Sequence, residues 1–226
     1  MKPVSVAAVV PVYNEENRIG KVLSVLESCD LLDEIIVVND CSTDGTLDQI
    51  PRENGVRPFS LERNLGKGGA LAAGVASTSA QILIFVDADL VGFRQEHIGQ
   101  LVRPVLDDEA DMCVGIFQGG RWWTDLWQRV APYISGQRAL RREVFLSAGG
   151  LENARFGVEV ALTRHAHRQG LRVQWVTLDG VTHVMKEEKM GVMPGLRARA
   201  RMYWEMGRSL ASSRGRAFER VRRNGY

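Results

Sequence analysis

The run Ile82-Leu83-Ile84-Phe85-Val86, closed by Asp87-Ala88-Asp89-Leu90, constrains the fold of this chain more than any other stretch. An unbroken apolar segment of strand length has no polar face to give to water. It therefore reads as a strand buried on both sides, as in a parallel sheet covered by helices on each face. The run stops at two carboxylates one residue apart. If strand geometry persists, Asp87 and Asp89 project to the same side. Two such groups repel unless something positive lies beside them. A divalent cation carrying a diphosphate would meet that need, and so would a cap on a following helix with the second Asp in solvent.

The rest of the chain repeats the pattern. Val4–Val12 reads as a first buried strand, and Ile19, Val22, Leu23 and Leu26 recur at helical spacing behind it. Glu34–Asn39 is a second strand, followed by turn and cap residues from Asp40 to Gly45. A helix from Thr46, a short strand at Val56–Ser60, an Ala/Gly-rich helix over Lys67–Ser77 and the Ile82–Val86 strand come next. A helix at Glu96–Leu106 and a strand at Met112–Phe117 complete this half. Strand–helix alternation predicts α/β architecture with a mainly parallel central sheet. Ligands of such sheets lie beyond the C-terminal strand ends, where the polar clusters after the first, second and fourth strands fall.

Beyond Phe117 the expected elements are a Trp-rich segment (Gly119–Trp127), a polar turn at Ser135–Arg138, a short helix at Arg141–Ser147, a helix at Val158–Gln169, a strand at Val173–Leu178 and a helix at Val192–Leu210. No linker or repeat interrupts the 226 residues, so one domain is expected: residues 1–117 as a donor-binding half, 118–190 as an acceptor side, and 191–226 as a basic helical tail.

Hydrophobic and charged fractions of 45% and 25% are those of an ordinary globular chain. No apolar stretch reaches the roughly 18–20 residues that span a bilayer. Cys29, Cys41 and Cys113 are too few and scattered for a disulfide scaffold, which with the absence of a leader pattern gives a cytoplasmic expectation. The net charge of +2 is uneven: residues 194–226 hold nine Arg against two Glu, or +7, leaving −5 for the remainder. Such a tail is a solvated face, a phosphate-holding surface, or an interfacial segment at the inner membrane face.

Four ordered clusters carry a resemblance: Pro11-Val12-Tyr13-Asn14-Glu15-Glu16, Asn39-Asp40-Cys41-Ser42-Thr43-Asp44-Gly45, Asn64-Leu65-Gly66-Lys67-Gly68-Gly69, and Asp87-Ala88-Asp89. With Gly157-Val158-Glu159 and His183-Val184-Met185-Lys186, the chain resembles family 2 glycosyltransferases, in the branch of dolichol-phosphate mannosyltransferase and glucosyl-3-phosphoglycerate synthase relatives. The resemblance implies the GT-A fold, a Rossmann-like α/β/α sandwich. It places Pro11, Tyr13 and Glu15 around the base and ribose of a nucleotide-sugar, and Asp40 on a base nitrogen. Relatives commonly carry Asp-Asp where this chain has Asn39-Asp40. Residue chemistry leaves a turn or helix cap as the lesser alternative for Asp40. Lys67, between glycines at a helix start, suits phosphate. Gly66–Gly69 follows a third strand and lacks the dinucleotide fingerprint, which argues against a nicotinamide dehydrogenase.

The resemblance further implies Asp89 as main ligand of Mn²⁺ or Mg²⁺, with Asp87 supporting the metal or bonding the ribose of the nucleotide-sugar, and His183 completing the site; a histidine favours Mn²⁺. Glu159 takes either the acceptor base role or the binding of donor sugar hydroxyls. Arg138, with Arg121, Arg141 and Arg142, is the expected clamp for an anionic acceptor. The expected activity is hexose transfer from a UDP- or GDP-sugar to polyprenyl phosphate or a small phosphorylated acid. The rivals are a sugar nucleotidyltransferase and a non-catalytic nucleotide-sugar binder. Peripheral membrane contact through the tail and a homodimer are further expectations; a nucleic-acid partner is not expected.

Overall fold

The computed structural model describes residues 4–52, 55–117, 135–154 and 157–183, apart from the side chains of Asn153 and His183. Two compact units divide the chain, Met1–His183 and Val184–Tyr226, and the architecture below is that of the first.

Strands β1 (Val6–Val12), β2 (Glu34–Asn39), β3 (Val56–Ser60) and β4 (Ile82–Phe85) pair in parallel in the order β3-β2-β1-β4. Beyond β4 the sheet continues through β7 (Arg138–Arg141), β6 (Met112–Phe117) and β8 (Val173–Leu178). β7 runs antiparallel to both neighbours, whereas β6 and β8 are parallel. A two-stranded ribbon, β5 (Leu90–Val91) with β9 (Thr182–His183), stands apart from the seven-stranded sheet.

Strand burial dictates the layers. β4 is buried along its whole length and β1 nearly so, as apolar runs without alternation require. One face is covered by α1 (Ile19–Glu27) and α3 (Gln95–Leu106), which bury Ile19, Val22, Leu23 and Leu26 and, from α3, Ile98, Leu101, Val102 and Val105. Each such side chain contributes about 1.5–3 kcal/mol by leaving water. The other face is covered by α2 (Gly66–Ala76), α4 (Arg142–Ser147) and α5 (Val158–Arg168). α2 approaches the sheet closely because Gly74 has no side chain: a Cβ there would fall on Val9 Cγ1. The result is the expected α/β/α sandwich.

Several expectations are corrected. The first strand starts at Val6, and the segment from Thr46 forms a 3₁₀ turn, Gly45–Gln49, rather than an α-helix. Strand β4 stops at Phe85, so Asp87 and Asp89 lie in a turn and not on one strand face. Arg138, expected in a polar turn, opens β7. The Trp-rich segment, Arg121 and the basic tail lie outside the described residues.

Candidate active site

β1 lies between β2, which follows it through α1, and β4, which is reached only after β3 and α2. The winding reverses between β1 and β4, and their C-terminal ends open the crevice where ligands bind in such sheets. Loops after β1 and β2 are fastened together at this edge. Asn14, at φ 56°, accepts from the Thr43 N–H through its Oδ1 at 2.8 Å and donates its own N–H to Ser42 Oγ at 3.0 Å. Glu15 N–H donates to Thr46 Oγ1 at 2.9 Å, and Gly45 N–H donates to Glu16 Oε2 at 2.8 Å. Asn and the left-handed region are compatible, but Cys41, at φ 64°, holds the same region without that excuse. Strain of this kind concentrates at functional loops.

On that frame Pro11 is half-buried opposite Val38, and Tyr13 stands 47% exposed just past the strand. Glu15 is half-buried and ion-paired with Arg18 at 3.2 Å. Asp40 is buried; its two carboxylate oxygens accept from the N–H groups of Leu65 and Gly66 at 2.7 and 2.8 Å. Asp40 therefore anchors the loop that delivers Lys67, the capping alternative open from its residue type.

Lys67, Asp87 and Glu159 converge from three separate elements. The Lys67 ammonium lies 2.5 Å from Asp87 Oδ1 and 2.7 Å from Glu159 Oε1. Burial works against the Lys67 charge, but the two carboxylates outweigh it and raise its pKa above the ordinary lysine value. Gly136 makes the pairing sterically feasible, since a Cβ there would overlap Lys67 Nζ and Asp87 Oδ2. Gly68 has a parallel role, because a Cβ would fall on the carbonyl oxygens of Leu151 and Ala154. This glycine seats α2 against the turn that precedes Glu159.

Arg138 does not sit where an acceptor could reach it. It is 1% exposed, and its guanidinium donates to the carbonyls of Glu159 (3.1 Å) and Ser135 (2.5 Å) and to Thr163 Oγ1 (3.4 Å). Burial pushes its pKa down to about 10, against the opposing pull of Glu159 and Asp87. It remains charged at neutral pH and braces the start of α5 from below. Arg141 is also away from that crevice: it pairs with Ile82 at the opening end of β4, at the other end of the strands, and binds Asp108 at 2.6 Å. Arg142 donates to the Val75 carbonyl.

Asp89 is half-buried in the turn after β4. The β5–β9 ribbon places His183 opposite Leu90, so the backbone brings the histidine beside Asp89. Ribbon closure depends on Gly92, at φ 76°, where a Cβ would collide with the Gly180 carbonyl. Among the described residues no group of three or more His, Cys, Asp or Glu side chains is placed to hold a metal; the His183 side chain lies outside them.

The close approach at Gly136 and the bracing role of Arg138 carry no signal in the sequence. A glycine inside a polar turn carries no local signal that distinguishes close approach from flexibility.

Comparison with known proteins fits this geometry. The model of the family "Glycosyl transferase family 2" matches residues 7–169. Glucosyl-3-phosphoglycerate synthase of Mycobacterium tuberculosis is 34% identical over 122 residues, 50% of this chain and 37% of that protein. Undecaprenyl-phosphate 4-deoxy-4-formamido-L-arabinose transferase of Edwardsiella ictaluri is 34% identical over 143 residues, 58% of this chain and 42% of that protein. The chain thus matches less than half the length of these relatives. A crystal structure of the M. tuberculosis synthase with Mn²⁺, UDP and glucosyl-3-phosphoglycerate superposes with a TM-score of 0.65 at 30% identity, covering 80% of this chain and 72% of the other. The same enzyme with Mg²⁺ and UDP gives 0.64 at 30% identity, covering 80% and 71%. With the matched segment spanning well over half of its residues, this chain belongs to glycosyl transferase family 2.

Proposed function

We propose that this chain transfers a hexose from a UDP- or GDP-sugar to an anionic acceptor, polyprenyl phosphate or a small phosphorylated acid, with Mn²⁺ or Mg²⁺ bound. The observation that carries the reading is the Lys67 ammonium held between Asp87 and Glu159 at the β1–β4 switch point. A lysine balanced by two carboxylates gives one cation for a diphosphate and two acceptors for sugar or ribose hydroxyls. Tyr13 offers an exposed aromatic face to the base, and Glu15 an acceptor beside it. Asp89 and His183 would hold the metal, a role supported by their adjacency across the β5–β9 ribbon. Bound there, the metal would act as a Lewis acid toward the leaving diphosphate.

Glu159 is braced through its carbonyl by Arg138 while its carboxylate is held by Lys67, so its position is set from both ends. A carboxylate fixed in this way can orient a donor hydroxyl or receive an acceptor proton. A phosphate acceptor is already ionised and needs no base. The basic tail would bring the protein to anionic lipid at the cytoplasmic membrane face.

The test is a panel of UDP- and GDP-sugars with Mn²⁺ or Mg²⁺, read first as thermal stabilisation. Release of nucleoside diphosphate is then followed with phosphoglycerate or a polyprenyl phosphate as acceptor. If no donor stabilises the fold, the reading is wrong. Stabilisation without release, whichever acceptor is supplied, would favour a non-catalytic binder.

A further inference from the structure

The β5–β9 ribbon is too short to hold itself. Leu90 pairs with His183 and Val91 with Thr182, and so short a ribbon has almost no stability of its own. Its register nevertheless decides where the His183 backbone stands relative to Asp89. Apolar anchors fix its depth: Leu90 is 5% exposed and Val181, just before β9, is 1% exposed, both within the core that α3 covers. Val91 faces water. Apolar contact is non-directional and leaves sliding along the ribbon open. Register needs a hydrogen bond.

His97, in the first turn of α3, is placed to supply one. Its ring is buried and lies 5.9 Å from that of Phe93, centroid to centroid. Nδ1 accepts from the Arg94 N–H at 3.1 Å, and the His97 N–H returns to the Arg94 carbonyl at 3.1 Å. Burial first, and the Arg94 guanidinium second, hold the His97 pKa below the ordinary histidine value. At neutral pH the ring therefore carries one proton, on Nε2. A buried N–H needs an acceptor, and the main-chain carbonyl of Asp179 faces the ring in that role. The turn after β8 lies against this corner on a second count. A Cβ at Gly92 would collide with the Gly180 carbonyl, and a Cβ at Gly180 would come within 4.0 Å of Arg94 Nη1. From Asp179 the chain runs directly through Val181 into β9 and His183.

We propose that His97 is a positioning residue for the cation site: one ring nitrogen is tied to the start of α3, the other holds the Asp179 carbonyl, and the link sets the register that brings His183 beside Asp89. The inference rests on the reading of Asp89 and His183 as the cation's ligands. His97 is not itself a ligand in this arrangement, because both of its ring nitrogens are engaged. Its effect on the cation is indirect, like that of the hydrogen-bonding partners that orient a metal's ligands elsewhere.

The experiment is Mn²⁺ binding to the full chain, followed by the paramagnetic resonance of the free ion, with whichever of UDP and GDP stabilises the fold. Thermal melting without metal is measured beside it. Asparagine places Oδ1 where the imidazole has Nδ1, so His97→Asn keeps the Arg94 bond but is too short to reach Asp179. Glutamine places Nε2 where the imidazole has its own, so His97→Gln keeps the Asp179 bond. His97→Asn is expected to bind Mn²⁺ about 10-fold more weakly than wild type. His97→Gln is expected to recover most of that affinity, whatever its melting temperature. If His97→Asn binds like wild type, or if the affinities of both variants merely follow their melting temperatures, the proposal falls while the cation reading stands. A wild type that binds no Mn²⁺, or an affinity that His183→Ala leaves unchanged, overturns the cation reading and the proposal with it.

Discussion

Gly136 leaves a space that the Lys67 ammonium fills: a methyl group at Gly136 would collide with Lys67 Nζ and with the Asp87 carboxylate. The three residues come from β7's approach, α2 and the end of β4. Gly136→Ala is expected to move Lys67 or Asp87 by a fraction of an ångström to an ångström. Misplacement on that scale in a reacting geometry costs up to about 100-fold in rate. Steady-state kinetics with the donor that stabilises the protein best should show kcat/KM falling by about 10–100-fold. Unchanged kinetics would mean that the pair tolerates the displacement.

Lys67→Met leaves Asp87 and Glu159 facing one another without their cation. Breaking a buried pair by removing one partner costs about 3–5 kcal/mol. The Lys67 side chain keeps 23% exposure, so a loss of about 1–3 kcal/mol is expected in urea unfolding. Adding Asp87→Asn should recover part of that loss, because one of the two repelling charges is gone. Without such recovery, the destabilisation would come from packing of the lysine stem and not from charge.

Arg138→Lys separates a bracing role from an acceptor role. Lysine cannot reach the carbonyls of Glu159 and Ser135 and the Thr163 hydroxyl together, as the guanidinium does. Stability should fall by about 1–3 kcal/mol, and kcat should fall because Glu159 loosens. The acceptor KM should barely move. A large rise in acceptor KM with unchanged stability would restore Arg138 as an acceptor clamp.

These residues also mark how far the sequence is legible. Buried parallel strands and their order are readable because double-sided burial demands uninterrupted apolar runs such as Ile82–Phe85 and Ile35–Val38. The polar clusters at strand ends are readable for the same reason, since they interrupt those runs. β7 is not: Arg138-Ala139-Leu140-Arg141 is short and has arginine at both ends, and it becomes a strand only by insertion between β4 and β6. Tertiary pairing there overrides local pattern. The same insertion buries Arg138, which its charge and its place in a polar stretch do not announce. Asp40 was ambiguous because a carboxylate that caps a loop and one that binds a base have the same local sequence.

Away from the site, Asp111 accepts from the Arg172 guanidinium at 2.9 Å and from the Arg172 N–H at 2.9 Å. The Arg172 bonds hold the Asp111 pKa below its ordinary value, although burial pulls the other way. A carboxylate with a depressed folded-state pKa contributes stability that is present above its unfolded value, near 3.9. That stability is lost as pH falls through the folded value. Asp111→Asn should therefore melt below wild type at pH 7, by about 1 kcal/mol for so exposed a network. The gap should close progressively below about pH 4. A gap constant down to acid pH would show that the loss is steric.

Asp89 and His183 meet through backbone register alone: β5 and β9 set His183 opposite Leu90, one residue from Asp89. If that adjacency serves a divalent cation, Asp89 and His183 each contribute a ligand, while Asp87 and Glu159 are the carboxylates that pair with Lys67. Mn²⁺ added with UDP should stabilise wild type by several degrees, following the free-energy gain of a ligand that binds only the folded state. Asp89→Asn and His183→Ala should each lose most of that increment while melting near wild type without metal. Imidazole accepts Mn²⁺ more readily than Mg²⁺, so His183→Ala should weaken the Mn²⁺ response more than the Mg²⁺ response, whereas Asp89→Asn should weaken both alike. Equal responses from wild type and both variants would place the cation elsewhere and leave the β5–β9 ribbon a purely structural clasp.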